Sequence, residues 1–388
     1  MSSLARNDDA AARVAAALTR LDEAGARTNC VVDRDDEVVL SAAAAANAKS
    51  PFRGEPITVK DWIDVSGFRC SGGSAAHIDR RPAEDAPAIS RLREAGAVVV
   101  AKTAVGVDSE HHGRVLNPHD LSRSPGASSS GEAAAVGGGA VRLGIGSDSG
   151  GSVRVPAAWC RVVGMKPSAG LIPLTGHFPE VGDRRDGRTV IGPLAQTVAL
   201  AWSAVKVMAG PDGQDAAVAP VVLGDPGKVD LAGLRFAIGC PRGAEISHPI
   251  EAALERVGEI VASAGAVIVG DPPDWLEEAR GITEDYWDRT DRTGSQVWQD
   301  LDDWDRFRRR VLAETAGIDV IITPTVGETA PLHRAMTTED YLFCLPASLT
   351  GAPALSIPIG EAAVQVIAHR WSDHVAVAAA QMIEAALA

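Results

Sequence analysis

Lysine is scarce in this chain. There are six, Lys49, Lys60, Lys102, Lys166, Lys206 and Lys228, against 31 arginines, so the roster of candidate catalytic amines is short. Cysteine is equally sparse. Cys30, Cys70, Cys160, Cys240 and Cys344 are odd in number, widely separated and free of any C-x-x-C spacing. That pattern excludes a disulfide framework and a thiolate zinc site, and it fits a reducing, cytoplasmic location. No apolar run approaches the roughly 18 residues of a membrane span. The opening "MSSLARNDDAAARVAAALTRLDEAG" carries too many charges for a secretory leader.

Net basic charge is also missing. The formal charge is −14 at pH 7, which argues against nucleic acid as a partner because phosphate binding needs a basic field. What remains is ordinary for a globular protein: 388 residues, 46% hydrophobic and 23% charged. Length alone suggests roughly two to three domains, although large α/β enzymes often form one unit.

Helix and strand signals alternate. Ala10 to Ala24 reads as an amphipathic helix, and "SAAAAANAKS" as an alanine-rich one stopped by Pro51. "EPITVKDWIDV" reads as a strand with Lys60 in or just after it. "EDAPAISRLREAGAVVVAKT" is a helix, a glycine stop and a buried strand, and "GEAAAVGGGAVRLGIG" repeats that theme. "GLRFAIGC", "PIEAALERVGEIVASAGAVIVG", "GIDVIITPT" and a last helix from Asp373 to Ala388 continue it. The alternation predicts an α/β fold with a mixed or mostly parallel sheet. Trp275, Trp287, Trp298 and Trp304 fall in one charged helical stretch, where they either pack on the core or wall a substrate site.

Chemistry concentrates in "GIGSDSGGSVRVPAAWC", Gly144 to Cys160, and in "SPGASSSGE", Ser124 to Glu132. The first is not a phosphate cradle. It lacks G-x-x-x-x-G-K-[ST], and Ser149 stands where a dinucleotide fingerprint needs its third glycine. No serine lies in the G-x-S-x-G hydrolase elbow, and none of the nine histidines has a context that marks a general base. Adjacent His111 and His112 are poorly placed to share one metal ion, so no metal site is expected. A lysine can activate a serine instead. Lys60 and Lys102 both follow apolar strand-like runs, where lost hydration would bring a lysine from about 10.4 toward 7–8.

Taken together, "SPGASSSGEAAAVGGGAVRLGIGSDSGGSVRVPAAWCRVVGMKPS" resembles the defining block of the amidase signature family. "GEPITVKDWIDVSG", "AISRLREAGAVVVAKT", "LNPHDLSRSPG", "IGPLAQTV", "DVIITPT" and "LTGAPALSIPIG" resemble its other blocks in order, across most of residues 50–385. The resemblance implies the amidase-signature fold, a mixed sheet covered by helices on both faces, in a single domain. Its expected parts are a helical segment over 1–50, a catalytic core over 51–210, a variable substrate-covering region over 211–318 and a return to the core over 319–388. It also implies a catalytic Lys60–Ser128–Ser152 set with Ser152 as nucleophile. The N–H groups of Ser149, Gly150, Gly151 and Ser152 would form the oxyanion hole, with Asp148, Ser129 and Arg154 in support. A cis peptide would precede Ser128, whose hydroxyl relays the proton between Ser152 and Lys60.

The chain departs from the family at Ala127 and Ser130, where glycines are usual, at Gln196 and at Trp62. Trp62, Ala127 and His177 are the residues expected to border the acyl pocket. The implied activity is hydrolysis of a small-molecule amide with release of ammonia or an amine, without metal or organic cofactor. The alternatives are an ammonia-supplying glutaminase subunit with a partner protein and a non-catalytic scaffold. Nucleic acid and membrane are not expected partners; a second copy, in a homodimer, is an open one.

Overall fold

The computed structural model describes residues 4–388 apart from 48, 107, 182–186, 289 and 291. Among the described residues, eleven strands form one sheet. In chain order the strands are β1 (Val31–Asp33), β2 (Pro56–Lys60), β3 (Val98–Thr103), the small outlying hairpin β4 (Asp108–Ser109) and β5 (Gly113–Arg114), β6 (Leu143–Asp148), β7 (Val163–Lys166) and β8 (Val190–Ala195). Then follow β9 (Arg235–Ile238), β10 (Val267–Gly270), β11 (Val320–Pro324), β12 (Ala354–Ile359) and β13 (Ala362–Ala368). The sheet order is β1-β3-β2-β6-β8-β7-β12-β13-β11-β9-β10. Pairing is parallel for β3–β2–β6 and β11–β9–β10 and antiparallel elsewhere, so the sheet is mixed, as the alternating pattern predicts.

The helices are α1 (Leu4–Thr28), α2 (Asp36–Ala45), α3 (Pro87–Glu94), α4 (Ser130–Gly137), α5 (Arg154–Trp159), α6 (Val198–Met208), α7 (His248–Ser263), α8 (Leu276–Trp287), α9 (Gly294–Glu314), α10 (Leu345–Thr350) and α11 (Asp373–Leu387). One layer holds α1, α4 and α5; another holds α3, α6, α7 and α11. Both α5 and α11 pack on β12 and β13, one from each layer. The central strands β2, β3, β6, β7, β8 and β11 are buried at every residue, as expected of a sheet covered on both sides. No helix among the described residues is long and apolar enough to cross a membrane.

Two neighbouring parallel strands set up the site. β2 ends at Lys60 and β6 at Asp148, paired through Val59 and Ile145. Their C-terminal ends deliver Lys60 and the 149–153 turn to the same edge, where open α/β sheets place ligands. Small residues let α4 in against them: Ala133, Ala134 and Ala135 are fully buried.

Candidate active site

Lys60 is completely buried at the end of β2. Its Nζ lies 2.7 Å from Ser128 Oγ, 3.1 Å from Ser129 Oγ and 3.2 Å from Ser147 Oγ. These side-chain partners are all hydroxyls, and none is a carboxylate. Burial pushes the amine down to about 7, although Glu132 and Asp148 pull the other way. A lysine so placed is half neutral near neutral pH, the condition for a general base.

The proton order of this cluster follows from its acceptors. Ser129 Oγ donates to the Ser147 carbonyl at 3.2 Å, so it can only accept from Lys60. His177 Nδ1 lies 2.9 Å from the Pro179 carbonyl, which accepts only, so Nδ1 carries the proton and Nε2 is bare in the neutral ring. With the buried ring neutral, Ser147 Oγ, 3.1 Å from that Nε2, donates to it and accepts from Lys60. With the two N–H bonds of a neutral Lys60 directed to Ser129 and to Ser147, whose carbonyl also lies 3.5 Å from Nζ, its lone pair is left facing the Ser128 hydroxyl.

The 149–153 loop is held from behind. The Asp148 carboxylate accepts from Gly151 N at 2.7 Å, Val153 N at 3.2 Å and Arg154 Nε at 3.0 Å. Arg154 also binds the Cys344 carbonyl, Gln365 Oε1 and Ser348 Oγ, tying the loop to α10 and β13. Asp148 and Arg154 are both fully buried. Burial raises the Asp148 carboxyl, but Arg154, Lys166 and the Val153 N–H together outweigh it and hold it below the usual carboxylate range. Gly151 sits at φ 135°, a conformation that disfavours other residues, and an added Cβ would fall 2.9 Å from Cys344 Cβ. Gly126 has φ 120° and leaves no room either: a Cβ there would collide with the Pro156 backbone. These contacts bring the two serine loops together, and Ser129 N donates to the Ser152 carbonyl at 3.3 Å.

Two expectations are corrected. The Gly151 N–H is committed to Asp148, so it is not a free oxyanion donor; the carboxylate that shapes the turn consumes it. Gly150 and Ser152 make no such bond. The Ala127–Ser128 peptide is trans, the cis bond among the described residues being Phe178–Pro179. For a non-proline residue trans is favoured by about 2.5–4 kcal/mol, and from it Ser128 Oγ already reaches Lys60.

Ala127 and Ser128 line a cavity of about 570 Å³ with Met336, Tyr341 and the ion-paired Arg114 and Arg334. Trp62 and His177 do not line it. Trp62 lays its ring 4.2 Å from Lys60 Nζ and its centroid 5.8 Å from the His177 ring, so both flank the amine. Of the four clustered tryptophans, Trp287 approaches the 149–153 loop: its Cζ2 would stand 3.5 Å from a Cβ at Gly150, and its ring meets Tyr341 edge-on at 5.9 Å. Ser147, Met336, Tyr341 and Glu132 escape a sequence reading; only Glu132, a carboxylate inside an alanine-rich helix, carries a local signal. Lys102 is buried too, but it binds the Ile63 carbonyl and lies 3.9 Å from Asp61, away from the serines. No group of three or more His, Cys, Asp or Glu side chains among the described residues is arranged to hold a metal.

A family model described as Amidase matches residues 12–302. AmiA2 of Mycobacterium tuberculosis, an amidase by name, is 31% identical over 382 aligned positions, covering 84% of this chain and 78% of that protein. A glutamyl-tRNA(Gln) amidotransferase subunit from Thermotoga maritima superposes with a TM-score of 0.83 at 26% identity, covering 97% of this chain and 92% of that one. The 6-aminohexanoate cyclic dimer hydrolase, at 24% identity and a TM-score of 0.84 over 97% of this chain and 93% of that one, shares the fold.

Proposed function

The chain belongs to the amidase family and is a hydrolase of carbon–nitrogen bonds, and on that premise we propose that it cleaves a small-molecule amide through an acyl-enzyme on Ser152. The observation that carries the reading is the buried, hydroxyl-bound Lys60 at 2.7 Å from Ser128. Neutral Lys60 takes the Ser128 proton while Ser128 takes that of Ser152. Ser152 Oγ bonds to the amide carbon. The Gly150 and Ser152 N–H groups are the donors available to the oxyanion. As the C–N bond breaks, Lys60 returns its proton through Ser128 to the leaving nitrogen. Water then attacks the ester and passes its proton along the same relay to Lys60; as the ester C–O bond breaks, that proton returns through Ser128 to Ser152 Oγ and the acid is released.

Met336 and Tyr341 line the cavity beside Ser128, with Trp287 edge-on behind Tyr341, and on this reading they give the acyl side a short, partly aromatic wall. It suits a short or aryl acyl group better than a long lipid chain, which needs an extended apolar channel. Ser152→Ala should lower ammonia release by roughly 10⁴-fold or more. A fluorophosphonate should add to Ser152, read as a peptide mass shift, and an adduct elsewhere with Ser152→Ala still active would overturn the mechanism. The likeness to an amidotransferase component supports a second reading, a glutaminase that feeds a partner. Glutamine as the preferred substrate, with turnover rising on addition of a candidate partner, would favour it.

A further inference from the structure

His177 is buried, at 6% exposed, and takes no part in the relay just described, yet it is one hydroxyl away from the base. We propose that His177 is a positioning residue which, through Ser147, fixes the direction of the proton chain and keeps the Lys60 lone pair free for Ser128. The inference rests on the reading of Lys60 as general base.

The argument is one of hydrogen inventory. A serine hydroxyl has one proton and two lone pairs. With His177 Nε2 at 3.1 Å taking that proton, Ser147 Oγ can only accept from Lys60 Nζ, 3.2 Å away. Without the imidazole, the Ser147 hydroxyl is free to turn its proton onto the Lys60 lone pair. It then competes with Ser128, whose oxygen lies 2.7 Å from the same atom. The Pro179 carbonyl, by holding the Nδ1 proton at 2.9 Å, sets the tautomer on which this depends. Trp62 closes the assembly, its ring lying between the amine at 4.2 Å and the imidazole at 5.8 Å, and its Nε1 is anchored on the Gly72 carbonyl at 3.1 Å.

His177→Phe and Ser147→Ala test this in distinct ways. Removing Ser147 Oγ takes an acceptor from the ammonium form of Lys60; removing the imidazole gives the neutral form a new donor. Both changes favour neutral Lys60, so both should move the acid limb of the kcat–pH profile to lower pH. The carboxyl groups that bear on Lys60, Glu132 and Asp148, are untouched in either variant. Plateau kcat should fall about 10- to 100-fold, a part of what a general base supplies, with KM little changed. The double variant should be no worse than the poorer single one, because both break one chain. His177→Gln, whose amide oxygen can take the Ser147 proton, should recover part of the loss. A wild-type acid limb in both single variants, with additive losses that track melting temperature, would show the histidine to be structural. If His177→Phe fails to fold, His177→Asn decides: its shorter side chain withdraws the acceptor from Ser147 and should move the acid limb to lower pH, and a wild-type limb there would overturn the proposal. Should Lys60→Met keep full activity, the base assignment itself fails, and that outcome is separate from these.

Discussion

Lys60 closes β2 and Lys166 closes β7, and the two amines are equally buried. Burial pushes both down to about 7. Their surroundings differ. Lys60 meets three hydroxyls and, at 3.5 Å, the Ser147 carbonyl, whereas Lys166 meets the carbonyls of Ala352 at 2.8 Å and Pro167 at 3.2 Å and no hydroxyl among the described residues. A carbonyl has no proton to give, so Lys166 can be held but cannot be handed anything. Ser128 has a proton and an exit from the core into a cavity. A lowered lysine pKa is therefore no mark of catalysis by itself. The chemical type of the neighbour decides the role.

The widest separation between the two sites should appear on exchange for methionine, which keeps the volume and removes the amine. Lys60→Met should cut kcat by about 10²- to 10⁴-fold. Lys166→Met should leave kcat per folded molecule within a few-fold and lower the melting temperature, because it strands the Ala352 carbonyl at a cost of about 1–3 kcal/mol. Steady-state rates beside thermal melts of both variants check this. Equal kinetic damage from the two would erase the distinction.

Much of this site is readable from the chain because its parts lie in contiguous strand–loop–helix units. "ITVKD" puts an amine at a buried strand end, and the two serine loops flank one short helix and one strand. The Lys60–Ser128 contact is what those strings imply. Links that join distant segments are not readable. Ser147 and His177 are 30 residues apart and meet only because the chain after β7 returns over Lys60. Tyr341 and Met336 reach the cavity from beyond β11, and Trp287 comes from α8. The commitment of the Gly151 N–H escapes the sequence for a different reason: a turn motif shows which N–H groups exist, not which of them a neighbouring carboxylate has already taken.

The two lysines should also show in the dependence of stability on pH. A lysine near 7 when folded and about 10.4 when unfolded binds more protons unfolded between those values, so stability rises with pH across that window. Glu132 acts in the opposite sense. Burial raises it from 4.5 to about 8, so the stability it contributes is full below 4.5 and is lost as pH rises through 8. Lys166→Met should flatten the rise between pH 7 and 10 without altering the acid limb of kcat. Lys60→Met should flatten the same rise and remove the limb. Denaturant midpoints measured from pH 7 to 10 resolve the two, and an unchanged slope in Lys166→Met would mean that this amine stays charged in the fold.

The smallest effect expected is that of Glu132→Gln, and it probes the buried carboxyl beside Lys60 that burial raises, the counterpart of Asp373 beside Lys166, which burial also raises. Glu132 is fully buried on α4, accepts from Thr103 Oγ1, and leaves its second oxygen without a hydrogen-bond partner. Ionised, it would favour the ammonium form of Lys60; Lys166 instead has Asp148 and Asp373 in that role. At about 8, however, Glu132 is mostly protonated where Lys60 titrates near 7. Glutamine keeps the shape and the Thr103 contact and removes only the residual charge. The acid limb of kcat should therefore move to lower pH by less than about one unit, with the plateau within a few-fold of wild type. A downward shift well beyond one unit would mean that Glu132 is ionised in the active enzyme. The lysine–serine relay would then run beside a buried ion pair.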